Sequence, residues 1–154
     1  MKENNSLQEA LKRAVYQTIE NVAFEEPEIL PAPVEINGEV IAVSLRVVSP
    51  YLLMTMILMP MELADKLIRV IYRDDEKEIT KELMYDSVGE FLNTIIGTMM
   101  GEVTHGERIF EMGLPERLKE KKEFQPEDPQ VLFFQIEDLP FCVAIEGEAF
   151  VEEN

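Results

Sequence analysis

One amphipathic helix in the second half of the chain constrains the fold more than any other feature of the sequence. From position 88 onward, apolar side chains recur three and four residues apart over about four turns. These side chains are Val88, Phe91, Leu92, Ile95, Ile96, Met99, Met100 and Val103. At helical spacing they fall on one face, so the pattern predicts a helix from about Ser87 to His105 with one apolar stripe.

Other segments carry the alternating or continuous apolar patterns of β-strands. Residues 41–47 place apolar side chains at every second position, which predicts a strand with one buried face. The run 51–59 is almost wholly apolar, as in a strand covered on both faces. Residues 34–40 are predicted to form a hairpin, because its type I′ turn requires a positive φ that Asn37-Gly38 tolerates. Two late strands are predicted at 131–137 and 141–146, joined by Asp138-Leu-Pro140.

Helical spacing also recurs near the amino terminus and after the second strand. The first of these helices is predicted from Ser6, which caps it, to about Phe24, where closely spaced prolines follow. Another is predicted over 61–72, because Pro60 suits the first turn of a helix. The charged, proline-bounded stretch 115–129 is predicted to be a mobile loop. Together these elements predict one α+β domain over residues 1–154, with helices packed on a twisted sheet.

The charge and hydropathy of the chain argue against several classes of function. Thirty-one acidic and fourteen basic residues give a formal net charge of −17, which repels a phosphate backbone and argues against a nucleic acid partner. No apolar run reaches the roughly 18 residues of a membrane helix, and the start of the chain lacks the pattern of a secretion signal. We therefore expect a cytoplasmic protein without a membrane partner.

The sequence offers little for nucleophilic, nucleotide or metal chemistry. The only cysteine, Cys142, lies in an apolar run and is interpreted as a buried, inert thiol. The only histidine, His105, belongs to no recognisable nucleophile motif, and no Gly-rich phosphate loop follows a strand. Glu102, His105 and Glu107 have the spacing of a metal site, but a di-metal centre needs several such groups. We therefore expect an ordinary surface histidine and no bound metal.

The face of the long helix opposite its apolar stripe carries an unusual set of residues. At about 100° per residue, Glu90, Asn93, Gly97 and Gly101 fall within a sector of roughly 80°. Each glycine costs about 1 kcal/mol relative to alanine inside a helix, so two on one outward face require a reason. We infer that something approaches the helix backbone closely there, next to an acid and an amide.

Structural explanations of the same residues remain open at this point. Ser87-Val-Gly-Glu90 has the spacing of a capping box, in which Glu90 bonds amides of the first turn. Gly97 and Gly101 are also compatible with close packing of the first helix or of a second subunit. Asn93 by itself is compatible with an ordinary solvated side chain.

The segment Asp86-Ser-Val-Gly-Glu-Phe-Leu-Asn-Thr-Ile-Ile-Gly97 resembles the Glu-x-x-Asn helix of the CheC/CheX/FliY chemotaxis phosphatases. The resemblance extends to the first helix at 10–24, to the strand and proline at 110–115, and to the closing hairpin at 131–147. Asn93 is the only asparagine in the chain with a glutamate three residues before it. A CheC-type protein is expected to carry two such sites, so the single copy favours the CheX branch.

The resemblance implies a fold, an activity and a partner. It implies a mainly antiparallel sheet with two long helices packed on one face, and hydrolysis of the phosphoaspartate on a CheY-like response regulator. Asn93 would position the attacking water, Glu90 would pair with the regulator's lysine, and Gly89 and Gly97 would contact the partner. Magnesium is expected on the regulator and no cofactor on this chain. The CheX resemblance also implies a homodimer.

Two rival functions use the same surface. In one, the chain keeps the fold and the contact with the regulator but only binds or sequesters it, without hydrolysis. In the other, the glycine face is a purely structural dimer contact. The first is distinguished by turnover of the phosphorylated regulator, and the second by whether this face is covered in the assembled protein.

Overall fold

The computed structural model of this chain describes residues 2–49, 52–73, 78–106, 110–118 and 130–147, with side chains from Leu7 onward. Its helices are α1 (Lys2–Ala23), α2 (Met61–Tyr72) and α3 (Lys81–Val103). Its strands are β1 (Glu28–Ile29), β2 (Val40–Ser49), β3 (Leu53–Pro60), β4 (Glu111–Met112), β5 (Glu116–Leu118), β6 (Gln130–Ile136) and β7 (Leu139–Glu146). The class is therefore α+β, as predicted.

The described strands form one sheet in the order β1-β6-β7-β3-β2-β4, with β5 pairing β2 beside β4. All pairings are antiparallel. The hairpin of β6 and β7 turns at Glu137 and Asp138, because Leu139 and Pro140 already pair with β6. The strands predicted at 41–47, 51–59 and the two late positions are confirmed, with boundaries shifted by a few residues.

The large core lies between one face of this sheet and the helices. Alternate residues of β2, such as Ile41, Val43 and Leu45, are buried together with the apolar stripes of α1, α2 and α3. The predicted arrangement of two long helices on one face of the sheet is therefore confirmed. A second, smaller cluster of Ile36, Ala42, Leu58 and Cys142 lies on the other face of β2 and β3. This cluster explains why β3 is apolar on both faces, and it also buries Ala42 on the second face of β2, where the sequence pattern predicted exposure.

Helix α3 begins earlier than the sequence pattern indicates. Its N-cap is Thr80, whose side-chain oxygen accepts a hydrogen bond from the Leu83 amide at 3.1 Å. The predicted start at Ser87 is wrong, because buried Met84 carries the apolar stripe one turn further toward the amino terminus. The predicted cap of the first helix is also wrong. Helix α1 starts at Lys2, so Ser6 lies inside it.

Two predicted connections differ in the structure. Residues 33–37 form no strand, and Gly38, with φ of +80°, is only a bend before β2. The predicted hairpin at Asn37-Gly38 is wrong, because β3 occupies one edge of β2 while β4 and β5 occupy the other. The predicted loop 115–129 is wrong at its start, where β5 pairs with β2. Residues 119–129 lie outside the described part of the chain.

Within the described segments, no helix combines the length and the hydrophobicity needed to cross a membrane. Cys142 is buried and forms no disulfide among the described residues, as the sequence predicted.

The start of α3 can be tested by comparing Thr80, the observed N-cap, with Ser87, the start that the sequence pattern predicted. Thr80→Ala removes the hydrogen bond to the Leu83 amide and should lower the free energy of unfolding by about 1 kcal/mol. Ser87→Ala is the matched control, because a residue inside the helix loses no cap and gains alanine's helix propensity. Urea denaturation of both variants provides the measurement. A larger loss for Ser87→Ala than for Thr80→Ala would contradict the observed start of α3.

Candidate functional site

The outward face of α3 presents an acid and an amide that nothing in the described chain engages. Glu90 is exposed and Asn93 is half-buried, one helical turn apart. Among the described residues, neither side chain has a hydrogen bond or an ion pair with another part of the protein. The carboxylate and the carboxamide are therefore accessible to another molecule, and their positions on one helix place them side by side.

The capping-box explanation of Glu90 is excluded by the position of the residue. Helix α3 starts at Lys81 and is capped by Thr80. Glu90 therefore lies well inside the helix, where every backbone amide nearby already bonds a carbonyl four residues earlier. No free amide of a first turn is available to this carboxylate.

The glycines of the outward face are not explained by packing inside the described chain. A Cβ added at Gly97 would meet only the end of the Met112 side chain, at 3.9 Å, and a Cβ at Gly101 would meet nothing within 4 Å. The first helix packs against α3 without needing these glycines. Close packing of α1 therefore does not explain Gly97 and Gly101. Packing of a second subunit against these glycines is not excluded.

Gly89 differs from the other two glycines because its neighbour is part of the same chain. It is buried, and a Cβ added there would lie 3.1 Å from the Cβ of Pro115. This distance is tighter than ordinary van der Waals contact, so the absence of a side chain at Gly89 is explained by close packing against Pro115.

Residues 111–118, which we call the β4–β5 segment, run alongside α3 in the opposite direction. Met112 lies near Gly97 and Pro115 lies against Gly89. Further on, Arg117 lies over the ring of Tyr85, 4.8 Å from its centroid, and forms an ion pair with Glu82. The segment therefore forms one wall beside the outward face of α3. The sequence pattern does not predict this wall, and the only signal for it is Pro115 within the region of family resemblance.

A cleft of about 300 Å³ opens between the β4–β5 segment and the amino-terminal half of α3. Asp86, Glu90 and Glu116 line it, together with Gly89 and Pro115. Its only basic lining residue among those described is Arg117, which is paired with Glu82. Three carboxylates around one neutralised guanidinium make the cleft electronegative, which favours a cationic side chain from a partner.

Of the three candidate metal ligands near the end of α3, the structure describes Glu102 and His105. Glu102 accepts a hydrogen bond from Arg13 Nε of α1 at 3.0 Å, and this bond lowers the pKa of the Glu102 carboxyl. His105 is exposed, with φ of +56° at the turn after α3. No group of three His, Cys, Asp or Glu suited to a metal occurs among the residues with described positions. Glu107 lies outside them.

The lowered pKa of Glu102 determines the direction in which this residue makes the stability of the fold depend on pH. Because the folded carboxyl ionises more readily than the unfolded one, its contribution is present above the unfolded pKa and is lost as the pH falls through the folded pKa. Both partners of this pair are largely exposed, at 55% and 41%. Solvent screening therefore keeps the contribution small.

Alanine substitutions at Gly89, Gly97 and Gly101 should differ in their effect on the free energy of unfolding. Gly101→Ala should raise the free energy of unfolding by about 1 kcal/mol, because alanine favours the helix and the new Cβ meets nothing. Gly97→Ala should do nearly the same. Gly89→Ala gains the same propensity but adds an overpacking penalty of about 1–3 kcal/mol against Pro115. Urea denaturation should therefore rank Gly89→Ala lowest, and equal stabilisation by all three would show that Pro115 yields freely.

The chain is similar to known proteins both in sequence and in fold. The family model described as "Chemotaxis phosphatase CheX" matches residues 41–137. No curated protein matches the chain. A crystal structure of the chemotaxis protein CheX from Vibrio vulnificus is similar, with a TM-score of 0.71 and 14% identity, covering 88% of this chain and 95% of that one.

Two further solved structures share the fold. The CheX-CheY-BeF3-Mg complex from Borrelia burgdorferi matches with a TM-score of 0.72 and 17% identity, covering 89% of this chain and 94% of that chain. FliY from Thermotoga maritima matches with a TM-score of 0.64 and 15% identity, covering 97% of this chain and 92% of that one.

Proposed function

This chain belongs to the CheX family, as the resemblance of its central helix predicted, and we propose on that premise that it hydrolyses the phosphoaspartate of a CheY-like response regulator. The observation that carries the proposal is the accessible pair of Glu90 and Asn93 on α3, without a hydrogen bond or ion pair among the described residues. The similar CheX from Borrelia burgdorferi, solved in complex with CheY, supports a regulator as the partner. We propose that this chain and the regulator meet in the cytoplasm.

Asn93 is suited to position the attacking water. Its carboxamide offers both a donor and an acceptor, so it orients a water molecule without having to ionise. The water attacks the phosphorus in line with the bond to the aspartyl oxygen, that bond breaks, and aspartate and inorganic phosphate are released. Phosphoryl transfer depends mainly on positioning and charge stabilisation, so one well-placed amide is a sufficient contribution from this chain.

Glu90 is suited to hold the regulator in register. A lysine beside the regulator's phosphoryl group would form a charge-assisted hydrogen bond with this carboxylate. The other carboxylates of the cleft, Asp86 and Glu116, add attraction at longer range. Magnesium would be held by the regulator, not by this chain. The missing side chain of Gly97 leaves room beside the inserted amide.

The rival binding module uses the same contacts without turnover. A protein that only sequesters the regulator needs Glu90 for docking but has no use for a carboxamide aimed at the phosphoryl group. The accessible position of Asn93 next to Glu90 therefore favours hydrolysis. Measurement of inorganic phosphate distinguishes the two, because a sequestering protein protects the acyl phosphate instead of cleaving it.

The catalytic proposal predicts separate kinetic effects for its two residues. Asn93→Ala should lower kcat about 100-fold, because the water loses its positioning group. Glu90→Ala should mainly raise KM, by about tenfold, because the docking ion pair is lost. Both are measured as the release of inorganic phosphate from phosphorylated regulator under steady-state conditions.

The chain supplies matched controls for both variants. Asn21→Ala removes an exposed helical asparagine that has no glutamate three residues before it. Glu20→Ala removes an exposed helical glutamate of α1. Both controls should retain the wild-type rate. An unchanged rate in Asn93→Ala would contradict the proposed role of Asn93 in hydrolysis.

The homodimer is a proposal of its own, and it rests on family membership. Light scattering at micromolar concentration should give twice the 17.7 kDa mass of one chain. The active face must stay open in such a dimer, so Gly97→Ala should leave the measured mass unchanged. A stable monomer would contradict the dimer. Dissociation by Gly97→Ala would favour the structural role of the glycine face.

A further inference from the structure

Leu114 is the most exposed large apolar side chain among the described residues, with 84% of its surface accessible. A single exposed leucine is ordinary on a protein surface and needs no functional explanation by itself. What distinguishes this leucine is the rigidity of its backbone and its position beside Asn93.

The backbone on both sides of Leu114 is fixed by contacts within the chain. The amide of Gly113 donates a hydrogen bond to the carbonyl oxygen of Arg46 in β2, at 2.8 Å. Pro115 has its φ restricted by its ring and packs against Gly89 of α3. An apolar side chain on such a preordered segment is presented to solvent at little further entropic cost on binding.

Two contacts of the β4–β5 segment place Leu114 next to the proposed site. Gly89, Asn93 and Gly97 are each four residues apart, so they form one row along α3. Met112 lies at the Gly97 end of that row and Pro115 at the Gly89 end. Asn93 is midway, about 6 Å along the axis from each glycine. The residues between Met112 and Pro115 therefore pass Asn93, and Leu114 is one of them.

We propose that Leu114 is a docking residue that seats on an apolar patch of the response regulator beside its phosphoryl group. This inference rests on the proposed function and names a contact which that function does not require. The acidic side chains around the cleft provide long-range attraction, whereas Leu114 provides the short-range, water-excluding contact that desolvated interface centres supply.

The charge around Leu114 argues that the occupant of this surface is not a second copy of the same chain. A twofold contact at Leu114 would bring the carboxylates of Asp86, Glu90 and Glu116 close to their equivalents. Each chain also carries a net charge of −17, so two identical acidic faces repel. A regulator that presents a lysine next to its phosphoryl group has the complementary charge.

The test compares Leu114→Ala with Phe24→Ala in the full chain. Phe24 is 71% exposed and lies between α1 and β1, at the opposite edge of the sheet from β4 and β5. The probe is a CheY-like response regulator loaded with beryllofluoride and Mg²⁺, with affinity measured by titration. We expect about a tenfold higher Kd for Leu114→Ala and no change for Phe24→Ala. With phosphorylated regulator, KM should rise by a similar factor at unchanged kcat.

The outcomes separate this inference from the proposed function. Wild-type turnover with an unchanged Kd and KM in Leu114→Ala overturns the docking role and leaves the phosphatase proposal intact. Wild-type binding without turnover overturns the phosphatase proposal, and the Kd comparison still decides the role of Leu114. If the wild type binds none of the host's regulators, both proposals fall. A fall in kcat with unchanged KM would contradict docking and assign Leu114 to the chemical step.

Discussion

Burial of the apolar stripe of α3 is the interaction on which the rest of the structure depends. Leu92, Ile95 and Ile96 are fully buried, and each such side chain contributes about 1.5–3 kcal/mol when it leaves water. The stripe packs between β2 and α1, within a core that all three helices share. Because the stripe must face inward, the rotation of α3 about its own axis is fixed, and Glu90 and Asn93 are carried to the outside.

The outward glycines show a conflict between local stability and the use of a surface. Gly97 and Gly101 lower the helix propensity of α3, and no contact within the described chain compensates for them. Gly89 has such a compensation, since its missing side chain admits Pro115. Residues that break a local rule without a structural gain are expected at functional surfaces. On that criterion Gly97 belongs to the proposed site, whereas Gly89 supports the wall beside it.

The electrostatics of the proposed site suit an encounter between proteins more than a small-molecule pocket. The cleft beside Glu90 is open to solvent on the outward side of α3, and three of its eight described lining residues are carboxylates, whereas mainly apolar groups usually enclose a ligand. An acidic surface on an acidic chain attracts a cationic partner and accelerates its approach. The Arg117 pair with Glu82 and the Pro115 contact hold the wall of the cleft against α3 before any partner arrives.

The sequence by itself determined which residues share the outward face of α3. The helical period places Glu90 and Asn93 opposite the apolar stripe, and the same local regularity predicts β2, β3 and the hairpin of β6 and β7. Only the tertiary structure decided that β5 pairs with β2 and that the β4–β5 segment lies beside Asn93. β5 forms because β3 occupies only one edge of β2 and leaves the other edge open for pairing. These outcomes depend on contacts between residues far apart in the chain, and a local pattern carries no information about them.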